Sequence, residues 1–190
     1  MSEFDHILKH ILRHRNNMLV WIIIVLVALG LLLLFFNFVK MVIIVLFFIT
    51  INIILRFYRR ILPGIPFEFE LIIFGSIVST LAFGLGAGLA IAITGFFLAE
   101  CANQFISPHS LINILVYCLV PFMSLLLTPE TFVTGGIIIA IVINMIIFSI
   151  FFFIGYNIVK NVLFSVSNII FNIIVFKLLG PIFVRLLMTK

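Results

Sequence analysis

Asn161, Ser165, Asn168 and Asn172 recur at intervals of four, three and four residues in the last apolar stretch of the chain. On an α-helix that spacing gathers all four side chains into one narrow stripe. Amides and a hydroxyl donate and accept hydrogen bonds but supply no strong base and no activated nucleophile, so the chemistry they offer is binding. Two readings stay open. The stripe is interhelical glue, at about 0.6 to 2 kcal/mol per contact, or it is one wall of a polar cavity facing a small ligand. Asn113 and Tyr117 share a face of an earlier segment and can meet it. Asn52 and Asn144 stand alone and read as glue.

A second pattern is FGLGAG, residues 83–88. Gly-rich loops cradle phosphates when a strand precedes them and an exposed helix start follows. Here a membrane-compatible stretch of about 17 residues, read as helical, precedes the glycines. Beyond them Gly84, Gly88, Ala92, Gly95 and Ala99 advance by four, four, three and four. That small-residue face predicts a tight bend followed by a closely packed helix. Any ligand there would meet backbone groups of Gly84, Gly86 and Gly88 left free at the break.

Catalysis finds little material. Of six acids, two lie in the first five residues, and no HExxH, GxSxG or P-loop lysine occurs. His6, His10 and His14 have metal-capable spacing but read as the polar face of a tail helix. His109 with Ser107 and Ser110 lacks an acid to complete a triad. Cys101 and Cys118 form no CxxC pair and behave as small hydrophobes. The expectation is therefore no enzyme, no catalytic residue, no metal and no cofactor. Glu68 and Glu70 are expected at a helix amino terminus, where acids suit the dipole. Glu100 should close its helix near the interface, and Lys177 should snorkel outwards.

These residues must be held by elements suited to lipid. The chain has 190 residues, 65% hydrophobic and 9% charged, against roughly a quarter charged in soluble domains. Residues 1–17 pattern as a basic amphipathic interfacial helix. Residues 18–190 pattern as one helical-bundle domain with apolar blocks at 18–36, 41–55, 67–83, 84–101, 111–127, 132–155 and 162–188. Asn37-Phe38-Val39-Lys40 reads as a turn between the first two, and the last block is expected to break at Gly180-Pro181. This predicts an all-α integral membrane protein, a compact bundle of six to seven transmembrane helices, six if 67–101 forms a broken or re-entrant pair. The net charge of +5 is dispersed, which argues against nucleic acid as a partner and for the lipid bilayer. Lys9, Arg13, Arg15, Arg56, Arg59 and Arg60 are expected at the membrane surface, with the amino terminus cytoplasmic by the positive-inside rule.

Over residues 63–190, the order PGIPFEFELIIFGS, GLGAG, ITGFFLAE, a polar connector and SNIIFNIIVFKLLGP resembles the substrate-binding S components of energy-coupling-factor vitamin transporters. It is also similar to the related rod-shape-determining membrane subunit. The resemblance implies a bundle of about six helices with a glycine-rich break and an asparagine-bearing last helix. It implies a vitamin-like ligand bound on the extracytoplasmic side, with GLGAG, the asparagine stripe and the region near TPET (128–131) as walls. It also implies partner membrane subunits and an ATPase module. Residues 41–55 match the family's first helix but carry no alanine where its members commonly have an Ala-x-x-x-Ala docking face. The expected function is a small-molecule-binding subunit of a membrane transporter. The alternative is a non-catalytic membrane scaffold that recruits partner proteins.

Overall fold

A computed structural model describes residues 2–61, 66–104 and 106–188, with side chains described from Val20 except at 34, 187 and 188. Among these residues all regular structure is helical. The helices are α1 (Ser2–Arg56), α2 (Tyr58–Ile61), α3 (Ile72–Phe83), α4 (Leu85–Ala90), α5 (Phe96–Asn103), α6 (Pro108–Tyr117), α7 (Leu119–Ser124), α8 (Phe132–Phe153) and α9 (Ile158–Phe183). Four stretches are long and apolar enough to cross a membrane: Val20–Ile61, Leu85–Asn103, Phe132–Phe153 and Ile158–Leu186. Two shorter apolar stretches, Ile72–Phe83 and Pro108–Ser124, bring the count to six.

Six arises by a different route from the one the sequence suggested. The turn expected at residues 37–40 is absent, and α1 runs through it. Nothing in Asn-Phe-Val-Lys forbids this, since neither glycine nor proline is present to break the backbone pattern. The expected break at Gly180-Pro181 is also bridged. α9 continues to Phe183, and a π-helical turn, Val184–Met188, follows where the proline withholds its N–H.

The chain forms two compact units, Met1–Val42 and Ile43–Lys190. In the first, every described side chain from Val20 to Lys40 is exposed, and Lys40 Nζ lies 4.7 Å from the centroid of the Phe36 ring. The expected tail boundary at residue 17, with Lys9, Arg13 and Arg15, falls outside the described side chains.

In the second unit, an aromatic cluster forms the centre. Phe74 of α3 meets Phe176 at 5.0 Å between ring centroids, Phe183 at 5.4 Å, Phe132 at 5.9 Å and Phe48 at 6.0 Å, each edge-on. Edge-to-face contacts at such distances add about 0.5–1.5 kcal/mol per pair beyond area burial. α8 and α9 pack as a pair, and Gly136 lets the Phe176 ring approach so closely that a Cβ would fall 2.2 Å from its Cε1. The outside of this unit is apolar too, with Leu115, Leu126 and Phe153 among the most exposed side chains.

GLGAG is a bend, as expected. α3 stops at Phe83 and α4 starts at Leu85. Gly84 between them has φ 94° and ψ 172°, a conformation essentially closed to residues with a Cβ. Beyond it Gly88, Ala92, Gly95 and Ala99 are buried along one face, through a π-helical turn at Ile91–Gly95 that joins α4 to α5.

Candidate functional site

The site starts with a reversal of ordinary patterning. Residues 66–71 are not helical, and α3 begins only at Ile72, so Glu68 and Glu70 do not occupy a helix's first turn. Successive side chains of an extended chain point to opposite sides. In PFEFE the acids take the inner side and are fully buried, while Phe67 is exposed and Phe69 half-buried. Proline at 66 favours this extended entry.

What the acids meet is Arg56. It follows Phe48 and Asn52 at four-residue intervals on the packed face of α1, and only 1% of it is exposed. Its Nη2 donates to Glu68 Oε1 and to Glu70 Oε2, both at 2.6 Å, and its Nη1 donates to Glu100 Oε1. Its guanidinium carbon lies 4.1 Å from the centroid of the Phe96 ring, a cation–π contact. Arg59 of α2 pairs with Glu68 Oε2 and approaches Glu100 Oε1 at 3.3 Å. Ser110 Oγ donates to Glu100 Oε2 at 3.0 Å.

Arg56 and Arg59, expected at the membrane surface, are both drawn into this ion-pair network, Arg56 buried and Arg59 half-buried. Only Arg60 of the three is exposed. Glu100, expected near interfacial water, is buried for the same reason: two guanidiniums compensate it where water does not.

The asparagine stripe joins this network. Asn168 Nδ2 donates to Glu70 Oε1 at 3.1 Å and to Asn144 Oδ1 of α8 at 3.0 Å. Asn172 Nδ2 donates to Asn168 Oδ1 at 2.8 Å, and Asn161 Nδ2 to the Phe148 carbonyl at 2.8 Å. The entry segment is tied down as well. Ser167 Oγ accepts from the Glu68 amide, and Asn52 Oδ1 accepts from the Leu71 amide at 2.7 Å. Asn52 and Asn144, expected to be isolated, both belong to this polar centre.

The Tyr117 ring packs on Phe96 at 5.4 Å, and its hydroxyl lies beside Glu70. Several buried polar atoms have no hydrogen-bond partner: Asn113 Oδ1, Ser165 Oγ, Asn172 Oδ1 and Asn161 Oδ1. An unpartnered buried group of this kind costs about 1–3 kcal/mol, so each is a feature to be accounted for.

The other candidates fall elsewhere. Gly84 and Gly86 sit at the far end of α3 from Glu70, about 18 Å away by helix rise, and Gly88 lies back along α3 beside Ser76. Gly84 and Gly86 are exposed, and Gly88 is packed against Thr80. The structure therefore divides the expected ligand wall in two. Ser107 and Ser110 form the capping box that starts α6, and the His109 ring meets Phe151 and Tyr156 edge-on at 5.3 Å. Among the described residues no group of three or more His, Cys, Asp or Glu side chains could hold a metal ion.

The sequence reading missed this centre; the signals that could have found it are the period-2 alternation in PFEFE and three acids beside apolar stretches. No protein-family model, curated protein or solved structure matches the chain.

Proposed function

We propose that this chain is an integral, multi-pass membrane protein, with a cytoplasmic amino terminus, that binds a small polar molecule among its helices as the binding subunit of a transporter. One observation carries the reading. Buried hydroxyl and amide oxygens of Asn113, Ser165 and Asn172 are left unpaired on α6 and α9, the helices that also bring Ser110 and Asn168 to the buried network. Packing alone has no use for hydroxyls and amides left without partners, whereas a ligand with several hydrogen-bonding groups gives them partners. Ionisable side chains buried within apolar helices are also the usual marks of a substrate or ion pathway. The resemblance to energy-coupling-factor S components supports the same class and implies an ATPase module and further membrane subunits as partners. No residue is assigned a catalytic role.

The test is purification in mild detergent, mass spectrometry of co-bound metabolites, and a thermal shift on adding back whatever is found. Asn168→Leu combined with Asn172→Leu should abolish the ligand-dependent shift. Wild-type ligand binding in that double variant would overturn the reading.

One observation favours the scaffold as a second reading. The described side chains of Val20–Lys40 are exposed all round the helix, which is surface for lipid or for a partner's helix. Affinity isolation from native membranes separates the two. An ATPase with a coupling subunit favours transport, and an assembly without one favours the scaffold.

A further inference from the structure

The buried amides form a directed relay. Asn144 Nδ2 donates to the Ala140 carbonyl at 2.8 Å, and a carbonyl can only accept. Asn144 therefore turns its Oδ1 to Asn168, whose Nδ2 donates to it at 3.0 Å. Asn168 in turn offers its own Oδ1 to Asn172 Nδ2, which also donates to the Asn168 carbonyl at 3.0 Å. Each amide is oriented by the one before it, so the atom left over at the head of the relay is Asn172 Oδ1. It is an acceptor, fully buried and without a partner.

Two more oxygens share its condition. Ser165 Oγ and Asn113 Oδ1 are unpaired, in residues 2% and 7% exposed. All three lie one helical turn from a residue bonded to a carboxylate. Ser165 and Asn172 flank Asn168, which donates to Glu70, and Asn113 follows Ser110, which donates to Glu100. The amide oxygens can only accept, and the hydroxyl can take either part. The spare capacity on these faces therefore calls for a donor.

A second observation is the charge. Among the described residues three carboxylates, Glu68, Glu70 and Glu100, meet two guanidiniums, Arg56 and Arg59. Buried charges are stable when paired, so a positive charge is what this centre lacks. A proton would offset the charge and leave the amide oxygens unpaired. A neutral polyol would pair the oxygens and leave the charge. A metal ion needs converging ligands, and no group that could hold one exists among the described residues.

We propose that the molecule bound at this centre is a small organic cation with N–H donors, an ammonium or guanidinium compound. Its N–H groups meet the unpaired oxygens of α6 and α9, and its charge offsets the unmatched carboxylate. The inference rests on the reading of the chain as a binding subunit and names the class of molecule that it takes.

The test reads the thermal unfolding midpoint of the full chain in lipid nanodiscs, titrated with matched probes at constant ionic strength set with sodium chloride. Propylammonium and propylguanidinium carry charge and N–H groups. Tetramethylammonium carries charge alone, propanol donates without charge, and propionate is an anion. The first two should raise the wild-type midpoint to a plateau, and the other three should not. Glu70→Gln keeps the shape and matches carboxylates to guanidiniums in number, so the rise with both cations should disappear. Ser165→Ala removes a hydroxyl that bonds nothing, so the chain should fold as before while half-saturation by propylammonium weakens. Asn172→Leu should weaken it about tenfold, as expected for losing one hydrogen bond to a charged group. No plateau with either N–H cation, an equal rise with tetramethylammonium or propanol, or a rise that survives Glu70→Gln would each overturn the proposal. If propionate or a co-purified neutral metabolite stabilises the chain and propylammonium does not, the cation inference fails and the binding reading stands. A chain that responds to no probe and carries no metabolite overturns both.

Discussion

The two ends of α3 are held in opposite ways. At its start, Glu70 and Glu68 hang from Arg56 and Arg59 by directional, charge-assisted bonds. At its end, Gly84 turns the chain and Gly88 lets α4 lie against Thr80 and the Ser76 carbonyl without a single charged group. The first arrangement depends on partners, so removing one member harms the rest. The second depends on absent atoms, so adding one does the harm. The charged end gathers the buried ionisable groups, the usual marks of function within apolar helices, which is why function is assigned there and not to the glycines.

The contrast can be broken in graded steps. Arg56→Met should have the largest effect, because it strips the common partner from three buried carboxylates. A loss of about 3–5 kcal/mol is expected for breaking a buried ion pair, seen as loss of the monodisperse peak in detergent. Combining it with Glu70→Gln and Glu100→Gln should restore part of that peak. No recovery would mean that Arg56 acts by shape instead of charge.

Gly88→Val comes next. A Cβ there would lie 1.9 Å from Thr80 Oγ1 and 2.8 Å from the Ser76 carbonyl oxygen. Overpacking of about 1–3 kcal/mol should lower the thermal midpoint, and Thr80→Ala should recover only part, since the backbone carbonyl stays.

Asn168→Leu removes the donor to Glu70 and Asn144 and leaves the Asn172 amide without its side-chain acceptor. About 1–3 kcal/mol is expected, and Asn144→Leu in the same chain should cost less than its separate effect. Additive losses would mean that the two amides do not act as one unit.

The smallest pair lies at the bend. Gly84→Ala meets open space but a positive φ, at about 1–3 kcal/mol. Gly86→Ala meets open space with no such φ and should stay within about 0.5 kcal/mol of wild type. Equal effects at the two positions would refute the bend as the reason for glycine at 84.

Much of the architecture was legible beforehand because it follows from local rules. The apolar blocks, the bend at GLGAG, the small face through Ala92 and Ala99, and the single face of Asn161, Ser165, Asn168 and Asn172 depend only on hydropathy and the 3.6-residue period. The continuous α1 was missed because a four-residue polar interruption is weak evidence for a turn without glycine or proline.

The burial of Arg56 belongs to another category. Read along the chain, it is one of three arginines in a basic connector, and its best local reading is the surface. Its partners lie 12, 14 and 44 residues away, in an extended segment and at the end of another helix. Local pattern reports that a charge is present and what it costs to bury; it cannot report which distant charge will meet it. The sequence by itself determined most of the apolar helical stretches, the bend at Gly84 and the stripe of amides. Only the tertiary structure decided that three carboxylates and two guanidiniums share one buried centre, because a charge can leave water only where chain crossings bring its opposites within hydrogen-bond reach.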